Sequence, residues 1–498
     1  MLSNPLIYFV IIPVLMLGGV ALCRDIKQIR AVAVTGSLAL TALSVWLLID
    51  FLGLRAANHT EEMLYQCSVM WFAPLNIHLA VGVDGISVAM LILSSIILLT
   101  GSFASWKIEQ PKAFFLWLIL LSTGVFGFFI SIDLFTMFMF YEVALIPMYL
   151  LIGVWGSGKK NYSAMKLTLM LMGGSAFLML GLIGIYYHSG PEHTWNLLEI
   201  AKADAIPHSV QYWLFPMTFV GFGVLGAMFP FHTWSPDGHA SAPTAVSMLH
   251  AGVLMKLGGY GCFRVAIYLM PFAANELAWI FLVLTGISVV YGAFSACVQT
   301  DLKYINAYSS VSHCGLVLFA ILMLNTTAMT GAIMQMLSHG LMTALFFALI
   351  GMIYGRTHTR DITKMGGLMK IMPVLCVCYV IAGMASLGLP GLSGFVAEMT
   401  IFVGSFEHSD LFHRVFTIVA CCSIVITAVY ILRVVGKILF GPVQDEHHLS
   451  LTDATWWERT SVFTLIVSVA VIGFFPNFFA ELIRSTFTPE IFTAIGLN

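Results

Sequence analysis

The chain has 498 residues, of which 59% are hydrophobic and only 9% are charged, and its formal net charge is −2. Soluble domains carry about 25% charged residues, so this composition excludes an ordinary water-soluble protein, and the small net charge does not indicate a nucleic-acid partner. The nine cysteines are scattered without the spacing of zinc or iron–sulfur sites, so we expect neither a metal site nor a cofactor in this chain.

Taken in chain order, apolar segments of about 20 residues, long enough to cross a bilayer, follow one another from end to end. The first has no basic region before it and no cleavage pattern after it, which predicts a retained helix and not a signal peptide. The sequence therefore predicts an all-α polytopic membrane protein with about fourteen transmembrane helices. The predicted segments are about 4–22, 30–54, 84–106, 112–131, 133–155, 163–188, 208–231, 243–268, 277–299, 303–324, 327–354, 372–405, 411–440 and 458–480.

Basic residues are concentrated on one side of these segments. The loops that follow segments 1, 3, 5, 9, 11 and 13, with the adjoining segment ends, carry about 16 of the 22 lysines and arginines, Lys166 and Lys303 among them. We call this side the basic face and the opposite side the outer face. The positive-inside rule predicts that the basic face is cytoplasmic and that both termini lie on the periplasmic side.

Two of the segments are interrupted by helix-breaking residues. Segment 7 runs into "MFPFHTWSPDGHASAP", which contains Pro230, Pro236 and Pro243, and segment 12 contains "LGLPGLSG" around Pro390. The breaks are five segments apart, and this odd offset predicts two inverted five-helix repeats with discontinuous helices 7 and 12 at a polar site. The predicted divisions are an N-terminal three-helix flank at 1–111, a first repeat (helices 4–8) at 112–270, a second repeat (helices 9–13) at 271–440 and helix 14 at 441–498.

Titratable residues lie inside the predicted segments, namely Glu142, Lys256, His313, His339 and Glu398. A charge at mid-membrane costs about 2.5–3.5 kcal/mol, so a charged side chain kept there generally faces a partner or a water-filled path. Burial disfavours the charged forms of lysine and glutamate, so that a buried lysine or glutamate can both take up and release a proton. This pattern therefore predicts a proton relay. The same pattern leaves two alternatives open, purely structural buried pairs and histidines that only bridge helices.

Three stretches carry a resemblance to a known family: "FHTWSPDGHASAPTAVSMLHAGVLMKLGGYG", "QTDLKYINAYSSVSHCG" and "MASLGLPGLSGFVAEMTIFVGSF". They resemble the antiporter-like membrane subunits of respiratory complex I. The superfamily also contains subunits of multisubunit cation/proton antiporters and membrane-bound hydrogenases. The stretches "YEVALIPMYLLIGVWG" and "ILRVVGKILFG" are similar to the M-type subunit in particular.

The resemblance implies a place for each intramembrane residue on a proton path. Glu142 matches the family's helix-5 glutamate, Lys256 its helix-8 lysine, and Glu398 the helix-12 acid of the exit half-channel. His313 and His339 match the histidines of the family's central hydrophilic axis.

One expected match is missing from broken helix 7. The family usually has a lysine five residues before the first proline of the break, and here that position is Leu225. Lys166 matches a helix-6 lysine of the family and is the candidate to replace it as the partner of Glu142; the alternative is a lysine that extends to the membrane surface. His232 and His239, which we expect beside the loop after segment 7, are the next candidates.

The resemblance implies a proton-translocating subunit of a respiratory NADH (or ferredoxin):quinone oxidoreductase in the bacterial cytoplasmic membrane. It implies coupling to quinone reduction elsewhere in the complex, no catalysis by the chain alone, and other membrane subunits, including neighbouring antiporter-like subunits, as partners. Two alternatives stay open. The chain could be a subunit of a multisubunit cation/proton antiporter, or a passive membrane scaffold with a lapsed channel, which Leu225 favours.

Overall fold

The computed structural model describes residues 4–487 and is built almost entirely from helices. Eleven of the described helices are long and apolar enough to cross a membrane. The predicted segments 7, 8 and 12 supply the remaining crossings, and each of them is divided into shorter helical pieces. The prediction of about fourteen crossings is therefore confirmed within the described residues.

The helices are labelled in chain order. Helix α7 is short and lies between predicted segments 6 and 7, the short helix α19 begins at the end of segment 14, and all the others form segments 1 to 14. The bounds are α1 Tyr8–Leu22, α2 Ile26–Ala56, α3 Gly85–Ala104, α4 Pro111–Ile130, α5 Leu134–Trp155, α6 Lys160–Tyr187, α7 Leu197–Ala203, α8 His208–Leu225, α9 Trp234–Ser241, α10 Thr244–Leu249, α11 Met255–Gly261, α12 Pro271–Val298, α13 Leu302–Ile321, α14 Thr326–Thr357, α15 Pro373–Ser386, α16 Ser393–Phe406, α17 Leu411–Leu439, α18 Trp456–Phe474 and α19 Pro476–Arg484.

The break in segment 7 separates α8, which ends at Leu225, from α9, which begins at Trp234. Polar groups freed by such a break need partners inside the protein, because lipid offers none. The backbone N–H of Phe229 donates to Ser288 Oγ at 2.7 Å, and the Trp234 indole N–H donates to the carbonyl of Val224 at 3.0 Å. Neighbouring helices therefore hold the unwound chain in place.

The break in segment 12 separates α15, which ends at Ser386, from α16, which begins at Ser393. Gly388 and Gly391 lie between them with φ values of 66° and 94°, a region in which any side chain would be strained. Pro390 stands between the two glycines and has no N–H to continue a helix. Both predicted discontinuous helices are thus confirmed.

A β-hairpin was not expected. Strands β1 (Leu64–Phe72) and β2 (Ile77–Val83) pair antiparallel on the outer face, in the loop between α2 and α3. Most of β1 is exposed in the structure. Its sequence does not show the strict alternation of apolar and polar residues that predicts a half-buried strand. The all-α class holds for the rest of the described chain.

Helices α3 and α14 form the centre of the bundle. About 89% of the apolar stretch of α3 and 94% of that of α14 are buried, against 33% for α2 and α17 at the periphery. Helix α6 packs along α8 as α14 packs along α16, and α4 packs along α5 as α12 packs along α13. Inverted repeats would produce this correspondence, but the repeat boundaries themselves stay a prediction.

The region assigned to helix 14 contains α18 and also the short helix α19, which covers the outer end of α3. The carbonyl of Leu482 approaches so closely that only a glycine fits at position 85, since a Cβ there would lie 1.9 Å from that oxygen. Next to this contact Asp84 and Arg264 form an ion pair, and their side chains are 0% and 1% exposed. Residues 488–498 of the predicted division lie outside the described residues.

Candidate functional site

Lys256 is buried inside the bundle on a segment whose helical geometry changes twice. The helix that carries it, α11, is flanked by π-helical turns at His250–Leu254 and Cys262–Ile267. Such turns occur frequently at functional sites. Lys256 is 1% exposed, and its ammonium donates to the carbonyl of Ala251 at 2.5 Å and to Nδ1 of His339 at 2.8 Å. No carboxylate of residues 4–487 lies within ion-pair distance of it.

From Lys256 a line of buried polar side chains continues toward segment 12. The ring centroids of His339 and His313 are 5.2 Å apart. Nδ1 of His313 is 3.3 Å from Glu398 Oε1 and 3.2 Å from Gln335 Nε2, which also donates to Glu398 Oε1 at 3.5 Å. We call the series Lys256, His339, His313 and Glu398 the proton line. The structure brings these four predicted residues together and adds Gln335.

Gln335 and Glu398 together give Nδ1 of His313 a partner in either protonation state. When Nδ1 of His313 carries no proton it accepts from the Gln335 amide, and when it is protonated it donates to the carboxylate of Glu398. Gln335 lies four residues before His339 on α14, so the two side chains share one helix face. That spacing was the available sequence signal, and the sequence analysis missed it.

Glu398 ends the proton line beside the break of segment 12. It is 7% exposed near the start of α16, and a Cβ at Gly388 would lie 3.2 Å from its Oε2 atom. The hydroxyl groups of Ser393 and Ser338 share a hydrogen bond of 2.7 Å between α16 and α14. The unwound chain of segment 12 therefore passes directly beside the carboxylate.

Toward the basic face, His239 and Lys303 are further buried titratable side chains beyond Lys256. We expected His239 beside a loop, but it lies in α9 with 0% exposure, and its Nε2 atom is 3.4 Å from Met255 Sδ. His239 interacts electrostatically with both Lys256 and Lys303. Lys303, which we had counted only among the charges of the basic face, is 4% exposed, and its ammonium donates to the carbonyl of Ala242 at the C-terminal end of α9 at 2.6 Å. A cation at that end of a helix is favourable.

A cavity of about 660 Å³ adjoins α9 on the basic face, and Asp237, Tyr304 and Arg360 contribute to its lining. The Asp237 carboxylate accepts from the Lys166 ammonium at 2.6 Å and from the Tyr304 hydroxyl at 2.9 Å. His232, the other candidate in this motif, is buried and interacts electrostatically with Lys166. The sequence analysis did not single out Asp237, although a carboxylate within a predicted helix break was a signal.

Glu142 is not in contact with the proton line. It is half-buried, its Oε1 atom has no partner in the described part of the chain, and it interacts with Ser175 of α6. Lys166 lies nine residues before Ser175 on that helix, about 13 Å along its axis, and is paired with Asp237. Leu225 is fully buried and supplies no charge. The expected pairing of Lys166 with Glu142 is therefore wrong.

One group of described residues brings metal-ligand types together on the outer face. Ligand atoms of His408, Asp410 and His413 lie within 4.8 Å of one another. The two imidazole rings are stacked 4.2 Å apart at 15°, and His413 Nδ1 is 2.8 Å from an Asp410 oxygen. Lone pairs of imidazole lie in the ring plane, so stacked rings do not converge on one ion, and we assign no metal to this group.

Residues 131–427 match the protein family described as "NADH:quinone oxidoreductase/Mrp antiporter, TM". The chain belongs to this family. The matched residues include the whole proton line together with Lys166, Asp237 and Lys303.

Relatives extend the similarity beyond that region. The chain is 34% identical to NADH-quinone oxidoreductase subunit M of Rickettsia bellii over 91% of this chain and 90% of that protein. It is 38% identical to NAD(P)H-quinone oxidoreductase chain 4 3 of Picosynechococcus over 78% of this chain and 70% of the relative. These similarities confirm the resemblance to complex I subunits of the M type.

Solved structures share the fold at lower identity. A chain of respiratory complex I from Thermus thermophilus superimposes with a TM-score of 0.88 at 24% identity, over 99% of both chains. A chain of the Mrp complex from Dietzia superimposes with a TM-score of 0.83 at 20% identity, over 100% of both. The fold of this family member is therefore common to complex I and Mrp assemblies.

Proposed function

We propose that this chain is the proton-translocating, antiporter-like M-type subunit of a respiratory NADH (or ferredoxin):quinone oxidoreductase. The names of its relatives, which are subunits of NAD(P)H- or NADH-quinone oxidoreductases, support its assignment to an assembly of this kind. The observation that carries the proposed activity is the proton line, in which Lys256 reaches Glu398 through two histidines inside the bundle. The chain is a multi-pass membrane protein, and we place it in the bacterial inner membrane with the basic face in the cytoplasm and both termini in the periplasm.

In this proposal protons are taken up at the cavity on the basic face. Asp237 holds Lys166 and Tyr304 at the edge of this cavity, and two residues further along α9 His239 is already buried. Lys303 lies at the C-terminal end of the same helix. Proton transfer through Lys303 and His239 would therefore reach Lys256 without Glu142 or a charge at position 225.

From Lys256 the transfer begins along an existing hydrogen bond to His339 and continues to His313, whose ring contacts that of His339 without a hydrogen bond between them in the described residues. The Lys256 ammonium donates to Nδ1 of His339, so movement of that proton leaves a neutral amine and a protonated imidazole. His313 takes the charge next, and its protonated Nδ1 is attracted to the carboxylate of Glu398. Water at the break of segment 12 would then release the proton at the outer face.

Coupling to electron transfer requires other subunits. We propose that quinone reduction takes place elsewhere in the complex, that this chain holds no cofactor or metal, and that it is inactive alone. Glu142 supports the presence of neighbours, because a half-buried carboxylate in α5 would be costly against lipid. We infer that a neighbouring antiporter-like subunit covers this part of α5 and α6.

We also propose that segments 4–8 and 9–13 are inverted repeats. The matching helix pairs and the break in each half support this division. The boundaries of 112–270 and 271–440 place Lys256 in the first repeat and Glu398 in the second. The proton line would then cross from one repeat to the other between Lys256 and His339.

A subunit of an Mrp-type cation/proton antiporter is the second candidate function. The superposition on a chain of the Mrp complex over the full length of both chains favours it. A passive scaffold is disfavoured by the neighbouring buried titratable residues from Lys256 to Glu398, since such residues are costly to keep without a use.

The test uses the purified complex that contains this chain, reconstituted in proteoliposomes. Lys256→Ala should remove most proton pumping per electron while the complex still assembles, and Lys364→Ala, an exposed lysine on a loop, is the matched control. Unchanged pumping in Lys256→Ala would overturn the proposal. Sodium/proton exchange by an assembly without quinone reductase activity would establish the second candidate instead.

A further inference from the structure

A second cavity lies on the basic face, away from the proton line, between the starts of α2 and α4. We call it the α2–α4 cleft. Its volume is about 630 Å³, within the range of about 300–1,000 Å³ that small-ligand sites occupy. Arg24 and Lys112 contribute charge to its wall, and Ile26, Ile29 and Leu116 give it an apolar surface. The cleft is therefore amphipathic.

The two cations of the cleft are unpaired. Neither the Arg24 guanidinium nor the Lys112 ammonium forms an ion pair with any of residues 4–487. The neighbouring Arg30 and Lys107, by contrast, are each engaged with a tryptophan ring. The two loops at the cleft carry more positive than negative charge: Arg24, Lys27, Arg30, Lys107 and Lys112 against Asp25 and Glu109.

The backbone adds to this positive potential. Helices α2 and α4 both begin at the cleft, and neither N-cap residue, Asp25 or Gln110, makes a side-chain hydrogen bond to the first turn. Free N–H groups and the helix dipole make such helix ends favourable for anions. Together with the two unpaired side chains, they leave the polar end of the cleft without an ion-pair partner among residues 4–487.

The other end of the cleft faces the bilayer. Leu22, two residues before Arg24, is 84% exposed, and the partly exposed side chains of Ile26 and Leu116 continue the apolar surface at the starts of α2 and α4. A ligand that fits both ends must carry a negative head and a hydrocarbon chain. Basic pockets between transmembrane helices on the cytoplasmic side are typical sites for acidic lipid headgroups.

We propose that the α2–α4 cleft binds one anionic phospholipid, with its phosphodiester between Arg24 and Lys112 and an acyl chain along Ile26 and Leu116. The charge complementarity selects an acidic lipid over a zwitterionic one. The continuity of the apolar wall with the bilayer selects a lipid over free phosphate. The bound lipid would fix the start of α2 against α4.

The test measures lipid retention by the purified full-length chain in nanodiscs that mix phosphatidylglycerol and phosphatidylcholine. Native mass spectrometry should show one tightly retained phosphatidylglycerol, and a photoactivatable phosphatidylglycerol should cross-link to residues 24–29 and 110–116. Arg24→Gln combined with Lys112→Gln should lower the preference for phosphatidylglycerol about thirtyfold, at about 1 kcal/mol for each basic residue near the surface. Inorganic phosphate should not compete.

The matched control is Lys364→Gln combined with Lys437→Gln, which removes the same charge from the same face outside the cleft and its two loops. All four side chains are exposed, so neither variant should lose thermal stability in phosphatidylcholine alone. Equal lipid retention by the two variants would overturn the proposal. So would cross-links confined to other residues, competition by inorganic phosphate, or a helix of another subunit in the cleft of the intact complex.

Discussion

Replacing Glu398 with glutamine should block proton transfer at the end of the proton line. Its Oε1 atom lies 3.3 Å from Nδ1 of His313. At an effective dielectric constant of about 20, opposite unit charges at this distance attract by about 5 kcal/mol, which stabilises a protonated His313 beside the carboxylate. Glutamine removes this attraction, whereas aspartate withdraws the carboxylate by about 1.5 Å and loses only about 1.5 kcal/mol of it.

These energies translate into distinct rates. If half of the lost attraction raises the barrier of the limiting transfer, Glu398→Gln slows pumping about seventyfold and Glu398→Asp about three- to fourfold. The assay is the pH gradient formed by the reconstituted complex, measured against quinone reduction with and without uncoupler. The control is Glu407→Gln, because Glu407 lies just after the same helix and accepts only from the Thr327 hydroxyl, at 2.7 Å. Wild-type pumping in Glu398→Gln, or equal loss in both Glu398 variants, would refute the electrostatic reasoning.

Three further predictions concern residues that only the structure identified. Lys303→Met should reduce pumping per electron tenfold or more in reconstituted complex, because it removes a buried titratable group that interacts with His239 at the end of α9. Gln335→Leu should reduce pumping about tenfold in the same assay, since the loss of a buried hydrogen-bond partner costs about 1–3 kcal/mol. Arg264→Leu should lower the free energy of unfolding by about 3–5 kcal/mol, because it leaves Asp84 buried without its partner. The measurement is thermal unfolding of the protein in detergent solution.

Each of these predictions has a comparison that separates function from folding. Lys364→Met is the control for Lys303, and equal pumping by the two variants would exclude Lys303 from the path. Gln335→Glu should retain more pumping than Gln335→Leu, because a carboxyl group still offers a hydrogen bond. Asp84→Asn combined with Arg264→Leu should recover much of the lost stability, and a double variant as unstable as the single one would show that the ion pair is not the cause.

The sequence alone determined where the membrane-spanning segments of this protein lie. Hydropathy is a local property, so the apolar segments, the prolines of segments 7 and 12 and the charge of their loops could be read directly. The cost of a charge in hydrocarbon singled out Lys256 and Glu398 before any contact was known. The hairpin at 64–83 was not predicted, because its exposed strand lacks a clear alternation of apolar and polar residues.

Only the tertiary structure decided which of these residues meet. Lys256 and His339 are 83 positions apart, and their hydrogen bond depends on how α11 packs against α14. The same packing turns Lys166 toward Asp237 and away from Glu142, and buries Lys303 at the end of α9. Helix periodicity fixes which residues share a face, but the partner of that face is set by side-chain packing between helices, which no local pattern encodes.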